Sequence, residues 1–114
     1  MAWGTVEVEP EVENWLEGLS DENFGRAAFY IDMLADRGVE LGEPYTRQLS
    51  GKLRELRFYL GRGRIRVSYY IASRRRIILL TVFKKSRRQE PAEIDRAEHA
   101  MKRCIAEGHT VEEK

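Results

Sequence analysis

At 114 residues, 42% apolar and 34% charged, the chain has the length and composition of one soluble globular domain. Twenty Lys and Arg stand against nineteen Asp and Glu, a formal +1, and no apolar run nears the roughly 20 residues that span a bilayer. The start, MAWGTVEVEP, has neither the basic opening nor the apolar stretch of a secretion signal, so the chain reads as cytoplasmic and not membrane-bound. A lone Cys104 permits no internal disulfide, and its place late in a helical pattern marks it as a packed residue rather than a nucleophile. Two histidines and one cysteine, widely scattered, give no metal-ligand spacing. No glycine-rich phosphate loop follows a strand, since GRGR at 61–64 suits a hairpin turn, and no cofactor is implied.

Residues 3–8 alternate weakly and predict a short first strand. Pro10 suits a first helical position, and Val12, Trp15, Leu16 and Leu19 then recur at helical steps. Gly18 interrupts the pattern, and Ser20 offers a new N-cap with Asp21 and Glu22 in the first turn. Phe24, Ala27, Ala28, Ile31, Leu34 and Ala35 form a second apolar stripe that Gly38 ends. Residues 10–37 are therefore two helices or one kinked helix, packed on a sheet, followed by a loop with Gly42 and Pro44. In Leu53–Leu60, Leu56, Phe58 and Leu60 point one way and Glu55, Arg57 and Tyr59 the other. After a turn at Gly61–Gly63, Ile65, Val67, Tyr69 and Ile71 face the core, with Arg64, Arg66, Ser68 and Tyr70 opposite. Ala72–Arg75 turn again, and Ile77–Phe83 is apolar on both faces, the mark of a central strand. Pro91, Glu90 and Glu93 open a last helix striped by Ile94, Ala97, Met101 and Ile105. The order β-α-α-β-β-β-α predicts an α+β domain over residues 1–108, its helices packed on a small, mainly antiparallel twisted sheet. Residues 109–114 read as a frayed tail.

The near-neutral total hides segregation. Residues 52–88 hold thirteen bases and one acid, Glu55, while residues 1–51 hold three bases and eleven acids. A polyanionic partner is drawn to the middle of such a chain. Arg57, Arg64, Arg66 and Tyr70 are expected on one sheet face, with Lys84, Lys85, Arg87 and Arg88 leaving the central strand at its rim. Arginines that neutralise phosphates beside rings that stack on bases suit single-stranded RNA. The alternative is a solvated sheet face, although such surfaces ordinarily mix signs. Cleaving RNA needs a base for the 2′-hydroxyl, cations for the phosphate and an acid for the leaving oxygen. Glu55 is the one carboxylate in the region; a salt bridge to Arg57 or Arg66 is its structural role. A crowded lysine is a second candidate base, and His99 and His109 are weaker ones.

The motifs ELRF (55–58), RIRVSYYI (64–71) and FKKSRRQEPAEIDRAEHAMKR (83–103), in this order, resemble the RelE/HigB superfamily of toxins, in its phage-derived HigB-like branch. The resemblance implies a RelE-like fold and a toxin of a type II toxin–antitoxin system. It further implies a metal-independent mRNA endoribonuclease acting at the ribosome, neutralised by a helix-turn-helix antitoxin. It assigns Arg66 to charge stabilisation at the scissile phosphate, Lys84 and Lys85 to the basic pair after the last strand, and Glu55 and Arg57 to the ELR positions. Leu53 and Glu55 stand where better-known members carry lysines. Two further readings remain: a gyrase-inhibiting toxin of the ParE kind, and a non-catalytic basic module that binds RNA or the ribosome. The reading as a nuclease requires Arg66 and Lys84 to share one side of the molecule.

Overall fold

The structure, a computed structural model, describes residues 2–86 and 90–108. The expected tail, with His109, and the expected RNA contacts Arg87 and Arg88 lie outside the described residues. Strand β1 (Thr5–Val8) leads into helices α1 (Pro10–Glu17) and α2 (Asp21–Arg37). Strands β2 (Thr46–Ser50), β3 (Leu53–Leu60), β4 (Gly63–Ala72) and β5 (Arg76–Lys84) follow, then helix α3 (Glu90–Ala106). The architecture is α+β, as expected.

Local chemistry sets the helix ends. Pro10 occupies the first turn of α1. The Ser20 hydroxyl accepts from the Asn23 backbone N–H at 3.2 Å, so 10–37 is two helices with Ser20 capping the second. Gly38 ends α2 with φ +53°, and a Cβ there would meet the Trp3 ring at 2.1 Å. Only glycine satisfies both demands.

The five strands lie in the order β1-β5-β4-β3-β2. β1 pairs with β5 in parallel, and every other pairing is antiparallel. β5 is interior, as its double-sided apolar pattern predicts. Ile77 and Leu79 pack toward α1 and α2, Ile78 and Leu80 toward α3, and none is more than 2% exposed. Burying each contributes about 2 kcal/mol of hydrophobic stabilisation. The sheet is thus covered on both faces by two separate cores.

Four expectations need correction. β2 was not expected: TRQLS carries one apolar residue in five, because it is an edge strand whose alternate side chains meet solvent. Phe24, placed in the α2 stripe, is 49% exposed, since Ala27, Ile31 and Leu34 already fill the contact with the sheet. In α3 the buried line is Ala97, Ala100 and Cys104, so Ile105 turns outward. Tyr70 is no base-stacking platform: it lies 1% exposed beneath α3, its hydroxyl 3.4 Å from Cys104 Sγ. A ring placed on the polar side by strand alternation is covered because that side of the sheet carries a helix of its own.

Candidate functional site

Strand register arranges the face beneath α3 as a gradient. Leu53, Tyr70, Ile78 and Leu80 form its apolar end, against Ala97, Ala100 and Cys104. Next comes a row in which Arg47, Glu55, Ser68 and Thr81 stand opposite one another across four strands. Beyond it Arg57 faces Arg66, which faces Phe83, and then Tyr59 faces Arg64. The surface passes from oily to charged along the strands, and α3 begins, at Glu90, over the change.

Glu55 is 2% exposed and Arg66 6%, with Arg66 Nε 3.7 Å from Glu55 Oε1. This is the Arg66 ion pair considered for Glu55, at a separation too long for a good hydrogen bond. Burial holds the Glu55 carboxyl above the usual range; Arg66 pulls it down, and Glu90 pushes it up. Burial, with Arg57 next, lowers Arg66, which stays charged regardless. Four buried polar atoms here have no hydrogen-bond partner among the described residues: Glu55 Oε2, Arg57 Nε, Arg66 Nε and Glu90 Oε1. Buried charged groups are ordinarily satisfied, so two such guanidinium donors beside two such carboxylate acceptors make this cluster a candidate site.

The basic residues do not form one patch. Register pairs Lys84 with Ile65 and Phe83 with Arg66, so the backbone directs Lys84 and Arg66 to opposite faces of the sheet. The Lys84 chain then folds across Gly63, where a Cβ would meet its Cε at 2.9 Å. It ends in a rim cleft shared with Arg62, Arg64, Lys85, Ser86 and Glu90. The expectation that Arg66 and Lys84 share one grip is therefore corrected: they line different cavities. Arg64 and Glu90 link the two, since both line the rim cleft and both act electrostatically on Arg66. Lys85 pairs with Glu90 at 3.5 Å. Arg54 turns to the other face, to Tyr69 and Thr46. Arg74, Arg75 and Arg76 sit at the far end of β4 and β5, where Arg76 donates to Glu7 at 2.9 Å and Arg75 lies over Trp3. His99 is exposed on α3.

Sequence reasoning reads Glu90 only as a helix-start acid and singles out neither Arg47 nor the ring-lined cavity beside Arg57. That cavity, about 230 Å³, gathers Tyr30, Pro44, Tyr45, Phe58 and Tyr59 with Arg57 and Arg66. It opens where β2 stops, leaving the β2-side edge of β3 unpaired beyond the Arg57 N–H bond to the Tyr45 carbonyl at 2.8 Å, while the other edge stays paired with β4. Tyr59 alternates outward with Glu55 and Arg57, which was the available signal. Tyr30 and Tyr45 come from segments whose packing the sequence does not display.

The fold is RelE-like. Toxin RelE of E. coli, an arginine-substituted mutant in the free state, superposes with a TM-score of 0.59 at 15% identity, covering 90% of this chain and 98% of that one. The RelBE2 toxin–antitoxin complex of Mycobacterium tuberculosis gives 0.56 at 14% identity, covering 72% and 98%. The archaeal RelE–RelB complex of Pyrococcus horikoshii gives 0.54 at 21% identity, covering 76% and 99%. No curated protein matches the chain. Residues 14–102, a span that holds β2 to β5 and every residue of the buried charged cluster, match the family described as "Phage derived protein Gp49-like (DUF891)", and the chain belongs to that family.

Proposed function

We propose that the chain is the toxin of a type II toxin–antitoxin pair and cuts mRNA, at the ribosome, with Glu55, Arg57 and Arg66 as its centre; the single grip of Arg66 with Lys84 that the nuclease reading required is absent, so that form of it is given up and this centre stands without Lys84. The family and the RelE-like fold support the toxin. One observation carries the chemistry: the buried Nε groups of Arg57 and Arg66, which make no hydrogen bond among the described residues, lie beside a desolvated carboxylate. In this reading Glu55 takes the 2′-hydroxyl proton as the 2′-oxygen bonds to phosphorus and the phosphorus–5′-oxygen bond breaks. Arg66 and Arg57 hold the two non-bridging oxygens, where charge builds. Lys85 gives a proton to the leaving 5′-oxygen. Lys84, Arg64, Arg87 and Arg88 neutralise flanking phosphates, which positions the strand without reading it. A helix-turn-helix antitoxin neutralises the protein.

Expression without an antitoxin is expected to stop growth and to leave cut messages, and Glu55→Gln or Arg66→Ala to abolish both. Growth arrest with intact messages rejects cleavage. DNA-damage signalling in that case supports a gyrase inhibitor, and salt-dependent RNA binding without cutting supports a non-catalytic module.

A further inference from the structure

We propose that the cavity at the open end of β3 seats a nucleobase, with a phosphate of the same nucleotide held by Arg57 and Arg66. The inference rests on the RNA-cleavage reading for its phosphate and goes beyond it by placing the base. Tyr30, Tyr45, Phe58 and Tyr59 line the cavity together with the two arginines, so rings and guanidinium groups share one space. Tyr30 stacks on Phe58 at 5.0 Å with planes 12° apart, and Tyr45 lies 6.4 Å from Tyr30. These three rings brace one another. Tyr59 is different: it is 59% exposed and, among the described residues, pairs with no other ring.

The second observation is the pair of idle donors. Arg57 Nε and Arg66 Nε are buried without a hydrogen-bond partner, and both side chains line this cavity. An anion bound there is held by the two guanidinium groups that line the cavity, and a ring attached to that anion lies against Tyr59. A space of about 230 Å³ equals the liquid volume of about eight waters at ~30 Å³ each, ample for a planar base. Stacking of this kind tolerates any base, because each presents a π-face.

The test is calorimetric titration of the whole chain with AMP, CMP, ribose 5-phosphate and inorganic phosphate. Both nucleotides are expected to bind about 5- to 150-fold tighter than ribose 5-phosphate, the range of base–aromatic stacking. Tyr59→Ala is expected to bring that ratio to about one, leaving ribose 5-phosphate affinity unchanged, and Tyr59→Phe to keep it. Arg57→Ala is expected to weaken all four ligands. Equal affinity for nucleotide and ribose 5-phosphate overturns the base site while leaving the phosphate grip standing. A ratio that survives Tyr59→Ala also overturns it. If none of the four binds, the base site and the phosphate grip both fall.

Discussion

Arg57 and Arg66 stand directly opposite each other on β3 and β4, and neither Nε donates a hydrogen bond. Like charges facing across a ladder cost about 0.2–1 kcal/mol. The sheet keeps them there with Glu55, one row away, and Glu90 at the start of α3 as compensation. On the proposed function, the pair is held against stability for the phosphate it binds. Arg57→Met is expected to leave stability unchanged or raised by up to about 1 kcal/mol, while message cleavage falls about 10²-fold or more. Denaturant unfolding and a cleavage assay on the same preparation check both. A loss of stability with cleavage retained makes Arg57 a scaffold residue.

Glu55 supplies a pH dependence with a definite sign. Its carboxyl lies above the ordinary value of 4.5 in the folded chain, chiefly through burial. The native state thus keeps this proton to higher pH than the unfolded chain does. That contribution is fully present below about 4.5 and is lost as pH rises through the folded value. Glu55→Gln removes this slope and is expected to be the more stable protein at pH 7.5, with the advantage vanishing near pH 4. Unfolding curves at both pH values check this. Cleavage by the native protein is expected to rise with pH across the same window, as Glu55 becomes able to accept a proton.

The sequence made the frame legible because its signals were local. Ser20, Gly38 and the double-sided run at Ile77–Leu80 each act within a few residues or by simple alternation. Alternation also put Glu55, Arg57 and Arg66 on one face correctly. It failed where depth along the strand matters. Tyr70 and Arg66 have the same parity on β4, yet one is roofed by Ala97, Ala100 and Cys104 and the other lies under the helix start. It failed again at Lys84, which basic composition joined to Arg66 and register separates. Charge counted along a chain carries no direction, and a two-residue period gives a face only while the strand lasts.

Lys84 separates affinity from chemistry. Lys84→Ala removes one phosphate-neutralising charge and is expected to lower the salt dependence of RNA binding by about one unit of log–log slope; Lys85→Ala is expected to do the same and also to slow cleavage, since Lys85 carries the proton to the leaving oxygen. Lys84 lies in a different cavity from Arg66, so its loss is expected to weaken binding while the rate at saturating RNA holds. Glu90 is the acid of the rim cleft, and Glu90→Gln is expected to strengthen RNA binding severalfold at low salt. Filter binding across 50–200 mM salt, with single-turnover cleavage alongside, reads these effects apart. Equal loss of cleavage rate in Lys84→Ala and Arg66→Ala argues for one shared phosphate.

Helix α3 is tied down beside the site by one acid. Glu11 on α1 accepts the Val82 backbone N–H at 2.9 Å with one oxygen and the Arg96 guanidinium at 2.5 Å with the other. Arg96 also donates to the Val82 carbonyl at 3.3 Å and to Glu93. A single ion pair this exposed contributes little, but here a backbone N–H of β5 depends on it as well. Glu11→Ala is expected to cost about 1 kcal/mol. It is also expected to speed hydrogen exchange at the Val82 amide and in the first turns of α3, leaving Ile78 protected. The functional consequence follows from position: Glu90, the first residue of that helix, lies between the buried arginines and the rim lysines. Loosening α3 at Arg96 is therefore expected to change RNA affinity in the same direction as Glu90→Gln, and the two effects to be less than additive in the double variant, as two routes to releasing one carboxylate must be.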